Sequence, residues 1–506
     1  MDTRRVCLII PPSPFLLDER VFPFLGPLKI AAVLEKAAVP VEVLDLSGIK
    51  NFIEVIEDHM QQSAATHFGI TATTPQFPAA VRIAETIRTC RKDAVLIIGG
   101  THATLVVAAH KLEQKERRLG RAHTAFAQLE KYFDVIVAGD GEEAIFHAIK
   151  DSAEKLIDAD DRRSSLFLDN ERLDATPFPA RHLIDLSSYH YTIDGVPALS
   201  LIAQLGCPYK CGFCAGRASP MLRNIRMRSD ESIINEMTLM YRTYGNRGFM
   251  FYDDELNVNP QMVQLMEKIA KVQRDLGVKW KLRGFVKSER FNEAQAEALY
   301  EAGFRQLLIG FESGSSRILE NIQKIATRAD NTRCMDIARK YNLKVKALMS
   351  LGHPGESPQS VEDTKIWLLD ARPFDFDATV ITPYPGSPYY DRALPWEVPS
   401  ENGKPVWVYT VQKNGDRLYQ AEVNYALEAD YYKGDPNDGY ASHVWTDNLS
   451  AAELVAKRNE LEATVRETLG IPFNPGAPAT PYEHSMGQSH LPSRILRTSN
   501  ATTLSA

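Results

Sequence analysis

An α/β fold built from two successive strand–helix series is what this sequence predicts, and three observations predict it. Short apolar runs alternate with longer amphipathic ones from Val6 to about Lys150, and do so again from Ala198 onward. The apolar runs have strand length, and such alternation favours parallel sheets with helices packed on them. Residues just after the runs are rich in Gly, Thr, Pro and acids, the composition expected where ligands meet the carboxyl ends of parallel strands.

The chain has 506 residues, which suits two or three domains. Apolar content of 44% and charged content of 24% are those of an ordinary globular protein. A net charge of −7 argues against nucleic acid held by a broad basic surface. No apolar stretch approaches the roughly 18 residues of a membrane span. Met1-Asp2-Thr3-Arg4-Arg5 leads straight into a short strand, with no signal-peptide core. Six cysteines in so long a chain are not a disulfide framework. Together these features read as a cytoplasmic protein.

In the first series, Val6–Ile10, Val41–Leu46, His67–Ala72, Ala94–Gly99 and Val135–Ala138 read as buried strands. Leu28–Glu35 and Phe77–Arg91 are among the helices between them. Five such units predict a doubly wound open sheet over residues 1–150. Its strand ends offer Pro11-Pro12-Ser13, Asp45, Thr71, Thr73 and Thr74, then Gly99, Gly100, Thr101 and His102, then Gly139, Gly141 and Glu142. Glycine lets backbone approach a ligand closely. Gly139-Asp140-Gly141-Glu142-Glu143-Ala144 imitates a dinucleotide fingerprint but follows the fifth strand. Residues 112–131 read as a charged surface insertion and 151–196, broken by Pro177 and Pro179, as a linker.

The first strand of the second series runs into Gly206-Cys207-Pro208-Tyr209-Lys210-Cys211-Gly212-Phe213-Cys214. C-x3-C-x2-C places three thiols in one loop, enough for three irons of a four-iron cluster, with the fourth iron left open to a substrate or cofactor. A zinc knot is the alternative, but zinc prefers four ligands in paired sets, and no fourth Cys or His lies nearby. Cys7, Cys90 and Cys334 stand singly and read as small core residues. Lys210, Arg217, Arg223, Arg226 and Arg228 surround the loop, as a collar that steers an anion or as solvated surface charge.

Strands of this series are expected at Ala198–Gln204, Gly248–Tyr252, Lys279–Phe285, Gln306–Phe311, Val345–Leu351 and Ala378–Pro383. After the second come Asp253, Asp254 and Glu255, which can accept hydrogen bonds from a cationic amine. Arg283, near the end of the third, can pair with a carboxylate through two parallel bonds. Glu312-Ser313-Gly314-Ser315 ends the fourth, His353-Pro354-Gly355-Glu356 follows the fifth, and Tyr384-Pro385-Gly386-Ser387-Pro388 closes the sixth. Each alone could be a cap or a turn. All of them sit at matching strand ends behind a three-cysteine loop.

Residues 396–473 form a small α+β segment. Pro405–Tyr409 and Leu418–Asn424 read as a hairpin, and Tyr425–Tyr432 and Ala451–Leu469 as helices. Tyr431, Tyr432, Tyr440, His443 and Trp445 make an aromatic cluster that either covers a pocket or forms a small core. From Asn474 to residue 506, Pro, Ser and Thr dominate, as in a disordered tail.

The cysteine loop, with aromatic Phe213 before its last thiol, resembles the signature of the radical S-adenosylmethionine (SAM) superfamily. That resemblance implies a 4Fe-4S cluster on Cys207, Cys211 and Cys214, with SAM chelating the open iron and splitting into methionine and a 5'-deoxyadenosyl radical. It implies a partial (β/α)6 TIM-type barrel over residues 197–395, with the site at its carboxyl face. By likeness to the family's motifs, Phe213, Asp253, Asp254, Glu255, Arg283, Glu312, Ser313, Pro354 and Gly355 would contact SAM; Asp253-Asp254-Glu255 departs from the usual Gly-Gly-Glu.

The first block is similar to the Rossmann-like cobalamin-binding domain that precedes the barrel in one class of this family. Thr-Ala-Thr-Thr-Pro-Gln-Phe-Pro and Gly-Gly-Thr-His carry that likeness. It implies cobalamin contacts from Thr71, Thr73, Thr74, Gly99, Gly100, Thr101, His102, Gly139, Gly141 and Glu142. The Asp-x-His-x-x-Gly that puts a histidine under cobalt is absent, so no such ligand is expected; His102 could bond cobalt, a corrin amide or its own helix. An electron donor such as a flavodoxin or ferredoxin and a small-molecule substrate are the implied partners.

The expected function is cobalamin-dependent methylation of an unactivated carbon, where an sp3 C–H bond offers neither acidic proton nor lone pair. An oxidative cyclase or rearrangement enzyme with the same cofactors is the alternative. A methylthiolating enzyme would need three more cluster cysteines in the first domain, which has only Cys7 and Cys90. A non-catalytic sensor would not need the motifs at the barrel's strand ends.

Overall fold

The computed structural model describes residues 4–13, 19–118, 120–400, 402–428 and 442–472. Five strands fall close to the predicted runs: β1 (Val6–Ile10), β2 (Val41–Asp45), β3 (His67–Thr71), β4 (Val95–Gly99) and β5 (Val135–Gly139). A sixth, β6 (Leu156–Ala159), joins the edge, and the all-parallel order is 2-1-3-4-5-6. Here the linker expectation needs correcting. β6 is four residues ending against Asp160, too short and too acidic to stand out by pattern.

Helices α1 (Leu25–Lys36), α2 (Phe52–Gln62), α3 (Phe77–Cys90), α4 (Thr101–Lys115), α5 (Arg121–Tyr132) and α6 (Gly141–Ala148) cover both faces of this sheet. Alternation along β1 divides the core. Cys7 and Ile9 pack with α2 and α3, while Val6 and Leu8 pack with α1 and α6. The Rossmann-like reading is correct.

The charged stretch 112–131 is not a surface insertion. The Glu113 carboxylate caps α5, accepting the N–H groups of Gly120, Ala122 and His123 at 3.2, 3.1 and 2.8 Å. Arg121 is buried, its guanidinium stacked 4.0 Å from the Tyr390 ring. Charged residues that cap and stack look solvated when only composition is read.

The second sheet runs β15-β14-β13-β12-β11-β8-β7. β8 (Val196–Leu201), β11 (Gly248–Phe251), β12 (Lys281–Phe285), β13 (Phe304–Glu312), β14 (Lys344–Leu351) and β15 (Asp375–Val380) are parallel, and β7 (Thr192–Ile193) adds an antiparallel edge. This is a partial TIM-type barrel. A short ladder of β9 (Gln204–Leu205) with β10 (Arg226–Met227) closes the cysteine loop at its base.

Past the barrel, β16 (Leu394–Trp396), β17 (Val406–Thr410), β18 (Arg417–Ala421) and β19 (Val444–Thr446) form an antiparallel sheet around the expected hairpin. The final helix is Ala451–Leu469 as predicted, opened by a Ser450/Glu453 capping box and closed by Gly470 at φ +67°. Tyr431, Tyr432, Tyr440 and the tail from Asn474 lie outside the described residues.

Two carboxylates at strand ends of the first sheet hold the segment that follows the cysteine loop. Asp140, after β5, pairs with buried Arg226 at 2.5 Å. Asp160, after β6, accepts Ser219 Oγ and the Met221 N–H, each at 2.7 Å. The carboxyl ends of the two sheets therefore face each other across the loop.

Burial pushes the Asp160 carboxyl up to about 6 from its ordinary 3.8. The folded chain thus binds this proton more tightly than the unfolded one, so the group's contribution to stability is full at acid pH and lost as pH rises through about 6. Asp160→Asn keeps an oxygen acceptor and removes the buried charge. Its unfolding free energy, relative to wild type in urea melts, should rise between about pH 5 and about pH 8; a flat difference would refute this assignment.

Candidate active site

Gly206 turns the chain into the cysteine loop at φ +89°, where a Cβ would collide with the Asn224 carbonyl. The Cys207 N–H donates to the Leu222 carbonyl at 2.9 Å and the Gly212 N–H to the Ile322 carbonyl at 2.8 Å. Arg217 donates to the Lys210 and Cys211 carbonyls, and Arg223 to the Pro208 carbonyl. Two collar residues thus brace the loop itself, while Lys210 is exposed. Arg226 and Arg228 are corrections to the collar: Arg226 is buried in an ion pair with Asp140, and the largely covered Arg228 pairs with buried Glu236.

Cys214 is exposed, whereas burial pushes the Cys207 thiol up to about 11 and raises Cys211 as well. The Lys324 and Lys287 ammonium groups work against this, favouring the Cys211 thiolate. Thiols so placed keep their protons until a metal displaces them.

Asp253 and Asp254 do a different job from the one expected. Asp253 Oδ1 accepts the N–H groups of Ala203, at 2.9 Å, and Gln204; Asp254 Oδ2 accepts the Gly206 N–H at 2.8 Å. Both carboxylates hold the turn from β8 into the loop. The Glu255 carboxylate takes no hydrogen bond of that turn. It is half-buried, 3.9 Å from Lys287 Nζ, and burial pushes it up to about 7. Lys287 in turn sits 4.1 Å over the Tyr209 ring.

Arg283 is a further correction. It lies in the middle of β12, 1% exposed, 5.2 Å from the Tyr191 ring and in the field of Asp375 and Asp377. It lines a cleft with Thr192, Gly195 and Phe374 at the end of the sheet remote from the cysteines. It was expected near the end of the strand, next to the cysteine loop, and lies at its centre instead.

Glu312 ends β13 at φ +67°, a left-handed conformation uncommon for a side-chain-bearing residue and frequent at functional sites. Its carboxylate lies 3.4 Å from Lys324 Nζ and accepts Ser350 Oγ at 2.8 Å; Ser350 Oγ is also 2.8 Å from His353 Nε2. The His353 ring packs 5.3 Å from Phe213, and burial pushes it down to about 3, so it is neutral. Lys324 and Ser350 were not expected as site residues, and His353 was named only as part of the turn after the fifth strand. Only inward alternation along β14 could have pointed to Ser350.

A cavity of about 390 Å³ opens beside them, lined by Phe213, Cys214, Glu312, Ser350, Thr379 and Tyr384, with apolar walls from Phe285, Leu308 and Leu348. Ser313 faces away, its Oγ bonded with Thr364 at 3.1 Å and accepting the Ser315 N–H at 3.1 Å. Pro354 and Gly355 also serve elsewhere. The Pro354 carbonyl accepts Asn321 Nδ2 at 2.8 Å, and Gly355 leaves room for Asp416 of the C-terminal hairpin.

In the first domain, Gly100 (φ +87°) and Gly139 (φ +91°) lie at the rim of strand ends, where a Cβ would strike Thr71 Oγ1 and the Ala159 backbone respectively, with Gly99 and Thr101 beside Gly100. Thr73 spends its side chain on a capping box with Gln76, and Gly141 opens α6 against Ile30. Two residues are corrections. Glu142 is tied to Lys29 at 2.5 Å, and His102 is buried with Nδ1 3.1 Å from Thr74 Oγ1, stacked 4.2 Å from Phe77 and pushed down to about 3 by burial.

Comparison with known proteins agrees with this geometry. Residues 201–368 match the radical SAM superfamily, whose members use a 4Fe-4S cluster and SAM. An uncharacterised methyltransferase of Pyrococcus horikoshii is 25% identical over 411 residues, 78% of this chain and 84% of that one. An anaerobic magnesium-protoporphyrin IX monomethyl ester cyclase of Cereibacter sphaeroides is 23% identical over 64% of this chain, which spans 53% of that relative. The radical SAM methyltransferase TsrM of Kitasatospora setae, solved with cobalamin and a 4Fe-4S cluster, superposes with a TM-score of 0.60 at 15% identity, over 93% of this chain and 89% of that one; this likeness is one of fold.

Gly206→Ala forces a Cβ into the Asn224 carbonyl at a backbone angle alanine avoids. Anaerobically reconstituted variant protein should hold well under half the iron of wild type. Equal iron content would mean the turn does not set the loop.

Proposed function

From the radical SAM domain at residues 201–368, we propose that this enzyme also binds cobalamin, between the facing strand ends of its two sheets, and methylates a carbon of a small biosynthetic molecule. One observation carries the proposal: Asp140 and Asp160 at the first sheet's strand ends grip the segment just after the cysteine loop. A planar cofactor on the Gly100 and Gly139 rim then shares one space with Cys214 and Tyr384. The methyltransferase relative and the fold of TsrM support this reading.

When bound, the cluster supplies the electron that splits SAM, and cobalamin supplies a methyl group to a substrate carbon radical. The chain's own part is positioning. Cys207, Cys211 and Cys214 hold the cluster, and Glu255 accepts a hydrogen bond from the SAM ammonium. The Glu312 carboxylate, fixed by Lys324 and Ser350, presents acceptor oxygens at the cavity wall. Phe285, Leu308 and Leu348 keep that wall apolar, which excludes water from a reactive intermediate. A ring-closing reaction on a tetrapyrrole is the second reading, favoured by the cyclase relative.

Glu255→Gln removes one charge-assisted bond, so SAM affinity measured by equilibrium dialysis should fall about tenfold. Asp253→Asn should instead lower thermal stability, with little change in the SAM affinity of the folded fraction. The reverse pattern would sink the assignment of Glu255.

The decisive experiment gives anaerobic, reconstituted protein hydroxocobalamin, which carries no methyl group, with SAM labelled on its methyl group, reductant and candidate substrates. We expect stoichiometric cobalamin by its visible spectrum, 5'-deoxyadenosine, and label in the product. No 5'-deoxyadenosine would end the radical reading, and unlabelled product would favour the cyclase.

A further inference from the structure

At the amino ends of the first sheet, away from the cysteine loop, three metal-ligating side chains converge. Cys7 of β1 and Glu42 of β2 are register partners in adjacent parallel strands, so their side chains leave one face of the sheet about 4.8 Å apart. Helix α2 covers that face, with Val55, Ile56 and Met60 in the same core as Cys7. From it His59 reaches down, placing Nε2 3.6 Å from Cys7 Sγ and 3.1 Å from Glu42 Oε1. All three ligand atoms lie within 4.8 Å of one another.

We propose that Cys7, Glu42 and His59 form a site for a divalent, zinc-class cation, with a fourth position open to water. Zinc bonds of about 2.3 Å to sulfur and about 2.05 Å to nitrogen, at a tetrahedral angle, set S···N near about 3.5 Å. The observed 3.6 Å fits. The same geometry asks for about 3.4 Å between nitrogen and oxygen. The present 3.1 Å hydrogen bond therefore has to open by only a few tenths of an ångström.

The donors are chemically suited to such an ion. Thiolate and carboxylate together neutralise a dication, and the imidazole adds a neutral nitrogen. Ser63, at the carboxyl end of α2, donates its hydroxyl to Glu42 Oε1 at 2.5 Å, as outer-shell partners of metal-binding carboxylates do. Cys7 is fully buried, while the Glu42 side chain is 42% exposed, which gives an ion a way in and room for water.

Binding proceeds by simple exchange: the Cys7 thiol gives a metal–sulfur bond and one released proton, and the His59 proton moves from Nε2 to Nδ1 so that Nε2 can bind the cation, with no change of oxidation state. Burial and Glu42 both hold that proton on the thiol until a cation arrives, whereas Glu42 is already ionised, its carboxyl lowered by the hydrogen bond from His59. The ion would fasten α2 to β1 and β2 at the end of the sheet opposite the Gly100 and Gly139 rim, and takes no part in the radical chemistry.

Cobalt(II) is the probe. Full-length protein carrying Cys207→Ala, Cys211→Ala and Cys214→Ala cannot bind it at the cysteine loop, and is titrated anaerobically with Co²⁺. The expected result is one equivalent bound, a sulfur-to-cobalt charge-transfer band in the near ultraviolet, visible bands of a four-coordinate ion, and displacement by Zn²⁺. Cys7→Ala should abolish the charge-transfer band. Glu42→Gln, at a half-exposed position that spares the core, should weaken Co²⁺ at least about tenfold. It keeps the test decisive should Cys7→Ala not fold. No sulfur-to-cobalt band in the parent, or a band that survives Cys7→Ala, or Co²⁺ affinity unmoved by Glu42→Gln, overturns the site.

Discussion

A loop that presents three thiols to one cluster cannot also hydrogen-bond to itself as a helix or strand does, so its backbone must be satisfied from outside. That constraint organises the barrel's mouth. Asp253 and Asp254 take the N–H groups of Ala203, Gln204 and Gly206 on the way in. The Leu222 and Ile322 carbonyls take those of Cys207 and Gly212, while Arg217 and Arg223 donate to its carbonyls. The loop is held from several elements at once, and its own Phe213 and Cys214 line the cavity.

The same economy of charge explains why so many ionisable groups are buried here. Lys287 and Lys324 stand beside acids and close enough to the Cys211 thiol to favour its ionised form. Two ammonium groups offset part of the negative charge that three thiolates gather. Arg226 and Arg228 spend their charge on Asp140 and Glu236, joining barrel to first sheet and to its own helix rather than facing solvent. Buried pairs of this kind are weak evidence for stability but strong geometric constraints. They set how the two sheets meet.

Much of this was legible in the sequence. Periodicity and strand length located the strands of both series, because buried parallel strands are runs of branched apolar residues with little else to imitate them. The cysteine spacing marked the cluster loop, since three thiols in eight residues have few other uses. Less visible were β6, a four-residue strand among acids, and α5, whose capping by Glu113 makes a charged stretch structural. Sequence motifs also overcounted the ligand contacts: Asp253, Arg283, Ser313, Glu142 and His102 all sit at plausible strand positions, yet each is committed to a protein partner or to the wrong end of its strand.

What the sequence by itself determined is therefore the order of strands and helices, the loop that carries the thiols, and the family of chemistry that such a loop performs. Those features depend on neighbours along the chain: apolar period, turn residues, spacing. Only the tertiary structure decided which acids brace the loop, that Ser350 lines the cavity and is 2.8 Å from His353, and that the two sheets turn their carboxyl ends toward one another. Those outcomes depend on which buried donors and acceptors find each other far apart in the chain, as Arg226 finds Asp140 across 86 residues and Ser219 finds Asp160 across 59, and no local pattern encodes such a meeting.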